Sequence, residues 1–140
     1  MCRWVMNEPK IYFENEDEAN SLLKEWKNRL FLNNWNIELI DVDSLEDNNA
    51  GLSYAQWVNS CGTIKILSEK KLKEKEPFIE KLPHEKILIH ELLHFKYMGI
   101  EGDDSLESTY YMEKQHQLLE QMAKSLYMAK YDLSYEWFKQ

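Results

Sequence analysis

The sequence predicts an α+β fold, on three observations. Apolar residues recur at helical spacing near the start and over the last third of the chain. They alternate with a period of two in between, and the stretch around His90 is apolar on nearly every side. The chain has 140 residues, a one-domain length, with the core expected over roughly 14–130. From Glu16 to Leu32 the residues Ala19, Leu22, Leu23, Trp26 and Leu30 share a face, with acids in the first turn, which predicts an amphipathic N-terminal helix ended by Asn33-Asn34. Trp35, Ile37, Leu39 and Val42 predict a strand, and a polar loop follows from Asp43 to Asn49.

Ala50 to Val58 and Cys61 to Leu67 read as two further strands joined near Asn59-Ser60, so a small, mostly antiparallel three-stranded sheet is expected. Ser68 to Lys75 reads as a short polar helix. Pro83 occupies a first helical position, and His84 to Met98 predicts a helix buried on most sides, broken by Gly99 and Gly102. Asp104-Ser105-Leu106-Glu107 has the form of a capping box, opening a long C-terminal helix that runs to about Ala129.

Composition narrows the function. Apolar residues make up 44% and charged residues 30% of the chain, a globular balance. Basic residues number 17 against 25 acidic, for a net charge of −8, and the one lysine cluster, Lys70 to Lys75, is interleaved with glutamates. Nucleic acid is therefore not an expected partner. No apolar run approaches the roughly 20 residues of a membrane span, and the start lacks the apolar stretch of a secretory signal. With two cysteines, Cys2 and Cys61, and no CxxC spacing, a reducing, cytoplasmic setting is expected.

The chemistry lies in the buried helix, at His90-Glu91-Leu92-Leu93-His94. At about 100° per residue, His90 and His94 differ by about 40° in azimuth and one turn in height, so both imidazoles reach one metal ion. Glu91 lies about 60° to the other side of His94, able to touch a metal-bound water while aimed away from the ion. A carboxylate there can take the proton of that water, whose pKa the metal has lowered. The motif thus supplies two ligands and a general base. Two histidines and a glutamate on an apolar, buried helix otherwise each need a partner to offset desolvation, and a metal satisfies all three.

A catalytic zinc usually has three protein ligands and a water. Tyr97 and Ile100 stand where a metzincin has Gly and His, which excludes that class. The long helix offers Thr109, Glu113, His116 and Glu120 along one edge of its apolar stripe of Leu119, Met122 and Leu126. Glu113 is the preferred third ligand, giving a His₂Glu site for Zn2+. His116 is the alternative ligand, a partner behind the ligands, or a transition-state donor. Glu107 reads as the capping-box acid, Glu120 as a helix-face charge or an orienter of a ligand, and Asp103 and Asp104 as loop and N-cap residues. Tyr97, Tyr110, Tyr111 and His116 are candidates for oxyanion stabilisation. His84, six residues before His90, is expected at the surface or the helix start.

The stretch running from Gly51 through Ile64-Lys65-Ile66-Leu67-Ser68, Leu72 and Pro83 to Ile87-Leu88-Ile89-His90-Glu91-Leu92-Leu93-His94 resembles the zincin-like metallopeptidases. The likeness is to small SprT-like and phage- or prophage-type members in particular, over roughly Trp35 to Leu126, while the Glu113 placement is more similar to the gluzincin clan. The resemblance implies a sheet ahead of the active-site helix, a third ligand from the next helix, and a peptide or protein substrate. It further implies an edge strand, Gly51 to Trp57, that holds an extended peptide by main-chain hydrogen bonds. The leading expectation is a zinc-dependent metallopeptidase. The alternatives are a non-catalytic, metal-stabilised interaction protein on the same fold and a metal-free histidine pair in a polar core network.

Overall fold

A computed structural model describes residues 9–46, 49–76, 80–101 and 109–139, the backbone alone for 98–101 and 109–112. The order is α1 (Glu16–Arg29), β1 (Asn36–Val42), β2 (Gly51–Gln56), β3 (Cys61–Leu67), α2 (Glu69–Lys75), α3 (His84–Glu101) and α4 (Thr109–Tyr131), with a closing 3-10 turn at Tyr135–Lys139. The α+β class is as read from the sequence. No helix among the described residues is long and apolar enough to cross a membrane.

Asn15 caps α1 by accepting the Glu18 N–H at 2.8 Å, and Glu16, Asp17 and Glu18 crowd the positive end of the helix. The helix ends at Arg29, three residues earlier than periodicity suggests, because Phe31 turns back with φ 59°. The three strands are present, but the sheet is mixed rather than mostly antiparallel. Its order is β1-β3-β2: β1 pairs parallel with β3 from Asn36↔Cys61 to Val42↔Leu67, and β2 pairs antiparallel with β3 from Gly51↔Ile66 to Gln56↔Cys61. The chain leaving β1 crosses past the β3 position to start β2, then returns through the turn 57–60. β2 is therefore an edge strand.

α3 is the centre of the molecule. It packs on β2 and β3, on α1 and on α4, so Ile87, Leu88, Ile89, Leu92, Leu93 and Phe95 are all buried although together they span about 240° of the helix circumference. The helix comes down close to the sheet because the residues beneath it are small. A Cβ on Gly62 would lie 2.5 Å from the Phe95 ring, and one on Gly51 would lie 2.7 Å from Ile87 and 2.9 Å from a Glu91 oxygen. Gly99 does not break α3, whose backbone stays helical to Glu101. Gly102 and the capping-box residues lie outside the described residues. The core also extends beyond residue 130: Trp137 and Phe138 are buried, and the Phe138 carbonyl accepts the Lys81 N–H at 2.8 Å.

His84 begins α3 as expected but is not at the surface, being 2% exposed. Its backbone N–H donates to Ile11 O at 2.8 Å, Nδ1 accepts the Phe13 N–H at 2.9 Å, and Nε2 lies 2.9 Å from Leu67 O. This pattern is that of a neutral imidazole donating from Nε2. It ties the segment before α1 and the end of β3 to the start of α3. Helical azimuth cannot reveal such a cover, because it comes from a segment distant in sequence.

Candidate metal centre

His90 and His94 lie one turn apart on α3, and His116 faces them from α4. Ring centroids are 5.1 Å apart for His90 and His94, 4.6 Å for His90 and His116, and 5.5 Å for His94 and His116. One nitrogen from each lies within 4.8 Å of the others, close enough for a single ion to gather all three. His90 is buried, His94 half-buried and His116 exposed, so the group opens to solvent on the α4 side.

The helices run antiparallel here, since the paired positions move in opposite directions: Glu85 meets Tyr131, His90 meets Glu120, and His94 meets His116. In that register Glu113, one turn nearer the start of α4, is exposed and outside the three-histidine group. The structure thus brings together His90, His94 and His116, and does not bring Glu113 to them.

Glu120 lies between His90 and Lys86. Its Oε1 accepts from His90 Nδ1 at 2.8 Å, and its Oε2 accepts from Lys86 Nζ at 2.7 Å. Burial alone would raise the Glu120 carboxyl, but the His90 hydrogen bond and the Lys86 charge outweigh it and hold it down to about 2. With Nδ1–H engaged, His90 Nε2 keeps its lone pair, and it is buried with no hydrogen-bond partner. An orphaned buried nitrogen is costly unless something absent from the protein chain satisfies it. A divalent ion shared with His94 and His116 fits that need, and imidazole nitrogen suits zinc.

Glu91 follows His90 and is only 5% exposed. Its carboxylate sits against Gly51, and Ser53 lies near enough to favour its charged form, both from β2. Burial pushes it above the ordinary carboxylate range, more than His90, Ser53 and Lys86 bring it down. It shares a cleft of about 230 Å³ with Gly51, Lys86, His90, His116 and Glu120. Larger clefts of about 420 and 770 Å³ lie by α1, away from the three histidines. Tyr97 is not part of this cleft lining, while the side chains of Tyr110 and Tyr111, and Glu107, Asp103 and Asp104, lie outside what is described.

Sequence reading passed over Lys86 and Ser53. A signal for Lys86 was present: a lysine inside a helix read as buried on most sides, four residues before His90, must have an acidic partner. Ser53 carries no such signal, because its role depends on α3 crossing β2.

The histidines make the metal-free protein acid-sensitive. Burial, together with His90 and His116, lowers His94 to about 4, and burial lowers His84 and His116 as well. Each is neutral in the folded chain and takes up a proton near pH 6.5 when unfolded. Their stabilisation is thus complete above about pH 6.5 and is lost as pH falls below it, for His94 toward about pH 4. Glu91, shifted upward, acts in the opposite sense but is a single group against three. Thermal melts in chelator should show Tm falling steadily between about pH 7 and pH 4.5, and a flat profile would contradict the burial of these rings as neutral groups.

Comparison with known proteins finds no matching family model, no similar curated protein and no similar solved structure.

Proposed function

We propose that this chain is a zinc-dependent metallopeptidase of the zincin type, with His90, His94 and His116 holding the metal and Glu91 acting as general base. The observation that carries the reading is the orphaned Nε2 of His90, buried inside a three-histidine group with the Glu91 carboxylate on the same cleft. His116 takes the third position because it is in the group and Glu113 is not. Three donors and an open side favour a catalytic centre over a closed structural one, which would use four protein ligands.

When bound, zinc supplies Lewis acidity toward the scissile carbonyl and lowers the pKa of a water. Glu91 accepts the proton released as water adds to the carbonyl carbon, and passes it to the amide nitrogen as the C–N bond breaks. Its raised affinity for a proton suits that exchange, and the bare backbone at Gly51 leaves the room it occupies. The substrate class is peptide or protein. β2 supports this, being an edge strand packed on α3, with Tyr54 substantially exposed on it and Trp57 just past its end. We place the protein in the cytoplasm, in keeping with the free thiol of Cys61.

Glu91→Gln tests the reading. Zinc content should stay near one per chain while cleavage of a mixed peptide digest, read by mass spectrometry, falls about 10²- to 10⁴-fold. Cleavage by the variant at the wild-type rate would remove Glu91 from the mechanism. Zinc-loaded wild type that cleaves nothing in the digest would remove the peptidase assignment.

A further inference from the structure

Lys86 is the one charged side chain lining the cleft that the proposed chemistry leaves without a role. It stands four residues before His90, so Lys86, His90 and His94 stack along one face of α3. It is only 4% exposed, and an ammonium group is retained at such a site only when paired. Its partner is Glu120 on α4, one turn after His116. The two oxygens of that carboxylate are divided: Oε2 takes Lys86 Nζ at 2.7 Å, and Oε1 takes His90 Nδ1 at 2.8 Å.

We infer that Lys86 is a positioning residue for the metal site: by pinning Glu120 through Oε2 it fixes Oε1 as the acceptor for His90 Nδ1–H, which leaves His90 Nε2 unprotonated and aimed at His94 and His116. A carboxylate held at one oxygen cannot swing away from the imidazole, and the hydrogen bond at one ring nitrogen decides which nitrogen is free to ligate. Lys86 acts through Glu120 and need not touch metal or substrate. The inference rests on the metal reading of the site, yet part of its test does not need a metal.

Charge alone predicts the opposite effect. A cation beside a divalent ion repels it, so removing Lys86 should strengthen binding if electrostatics governs, and weaken it if positioning does. The test uses the full chain as wild type, Lys86→Met, Lys86→Arg, Glu120→Gln and the Lys86→Met/Glu120→Gln double variant. In metal-free protein, long-range 1H–15N correlations should show His90 as the Nδ1–H tautomer in wild type and a mixture in Lys86→Met. Zinc affinity, from chelator competition, should fall about 10- to 100-fold in Lys86→Met and recover largely in Lys86→Arg. Adding Lys86→Met to Glu120→Gln should cost nothing further. If Lys86→Met does not fold, Lys86→Gln is read in the same two measurements.

Unchanged tautomer with unchanged or tighter zinc binding in Lys86→Met would overturn the inference and leave the metal site standing, with Lys86 an ion pair between two helices. Wild type that binds no zinc, while Lys86→Met still alters the tautomer, would overturn the metal reading and leave Lys86 as the residue that orients His90.

Discussion

Replacing His116 by alanine is expected to strip zinc from the protein, whereas Glu113→Gln should leave the metal in place. The two residues sit one turn apart on α4, but His116 and not Glu113 joins the group whose ligand atoms lie within 4.8 Å of one another. Loss of a partner behind a ligand typically costs about 10- to 100-fold in metal affinity, so loss of a direct donor should cost at least that. The effect is also visible in stability, because an ion that binds only the folded chain adds its binding energy to folding. With free zinc at about 1,000 times Kd this is about 4 kcal/mol, or a rise in Tm of roughly 10–15 °C for a chain of this size. Elemental analysis, with melts in zinc and in chelator, measures both. Wild type and Glu113→Gln should show the zinc-dependent rise, and His116→Ala and His94→Ala should not. If Glu113→Gln loses the metal and His116→Ala keeps it, the donor set is His₂Glu and the α3–α4 register described above is wrong.

That contrast marks how far a sequence can be read. The pairing of His90 with His94 follows from one helix, whose geometry is local and fixed, and the burial of that helix follows from apolar side chains over most of its circumference. The third donor follows from how two helices cross. Glu113 and His116 differ by three residues, about 4.5 Å along the axis and about 60° around it, and no pattern within α4 chooses between them. The β2–β3 hairpin was legible because its turn is local. The parallel pairing of β1 with β3 was not, because it joins strands separated by a whole strand and loop, and alternation is the same whichever neighbour a strand takes. Glu85, Lys86 and Glu120 were hard to place for the same reason. Charged residues on a helix read as solvated until the partner from another element is known.

Glu85→Ala is expected to be among the most destabilising single substitutions in the metal-free protein. The carboxylate is 3% exposed and holds three donors from two other helices. Trp26 Nε1 of α1 donates to Oε2 at 2.7 Å, Lys130 Nζ of α4 donates to the same oxygen at 2.6 Å, and the Tyr131 hydroxyl donates to Oε1. Removing the acceptor leaves a buried indole N–H and a largely buried ammonium, the latter still paired with the partly exposed Glu25. Breaking a buried pair from one side costs about 3–5 kcal/mol, a fall in Tm of roughly 10–20 °C at this chain length. Glu85→Leu combined with Lys130→Met should recover part of the loss, because it removes the stranded charge along with its partner. Urea unfolding in chelator reads these differences without a contribution from metal. The site depends on the outcome, because α3 and α4 are pinned at Glu85 and again at Glu120, and the antiparallel register between those pins carries His116 to the histidine pair. A loss below about 1 kcal/mol, the scale of an exposed pair, would mean that apolar packing alone sets the register. His116 would then be held no more firmly than the side chains around it.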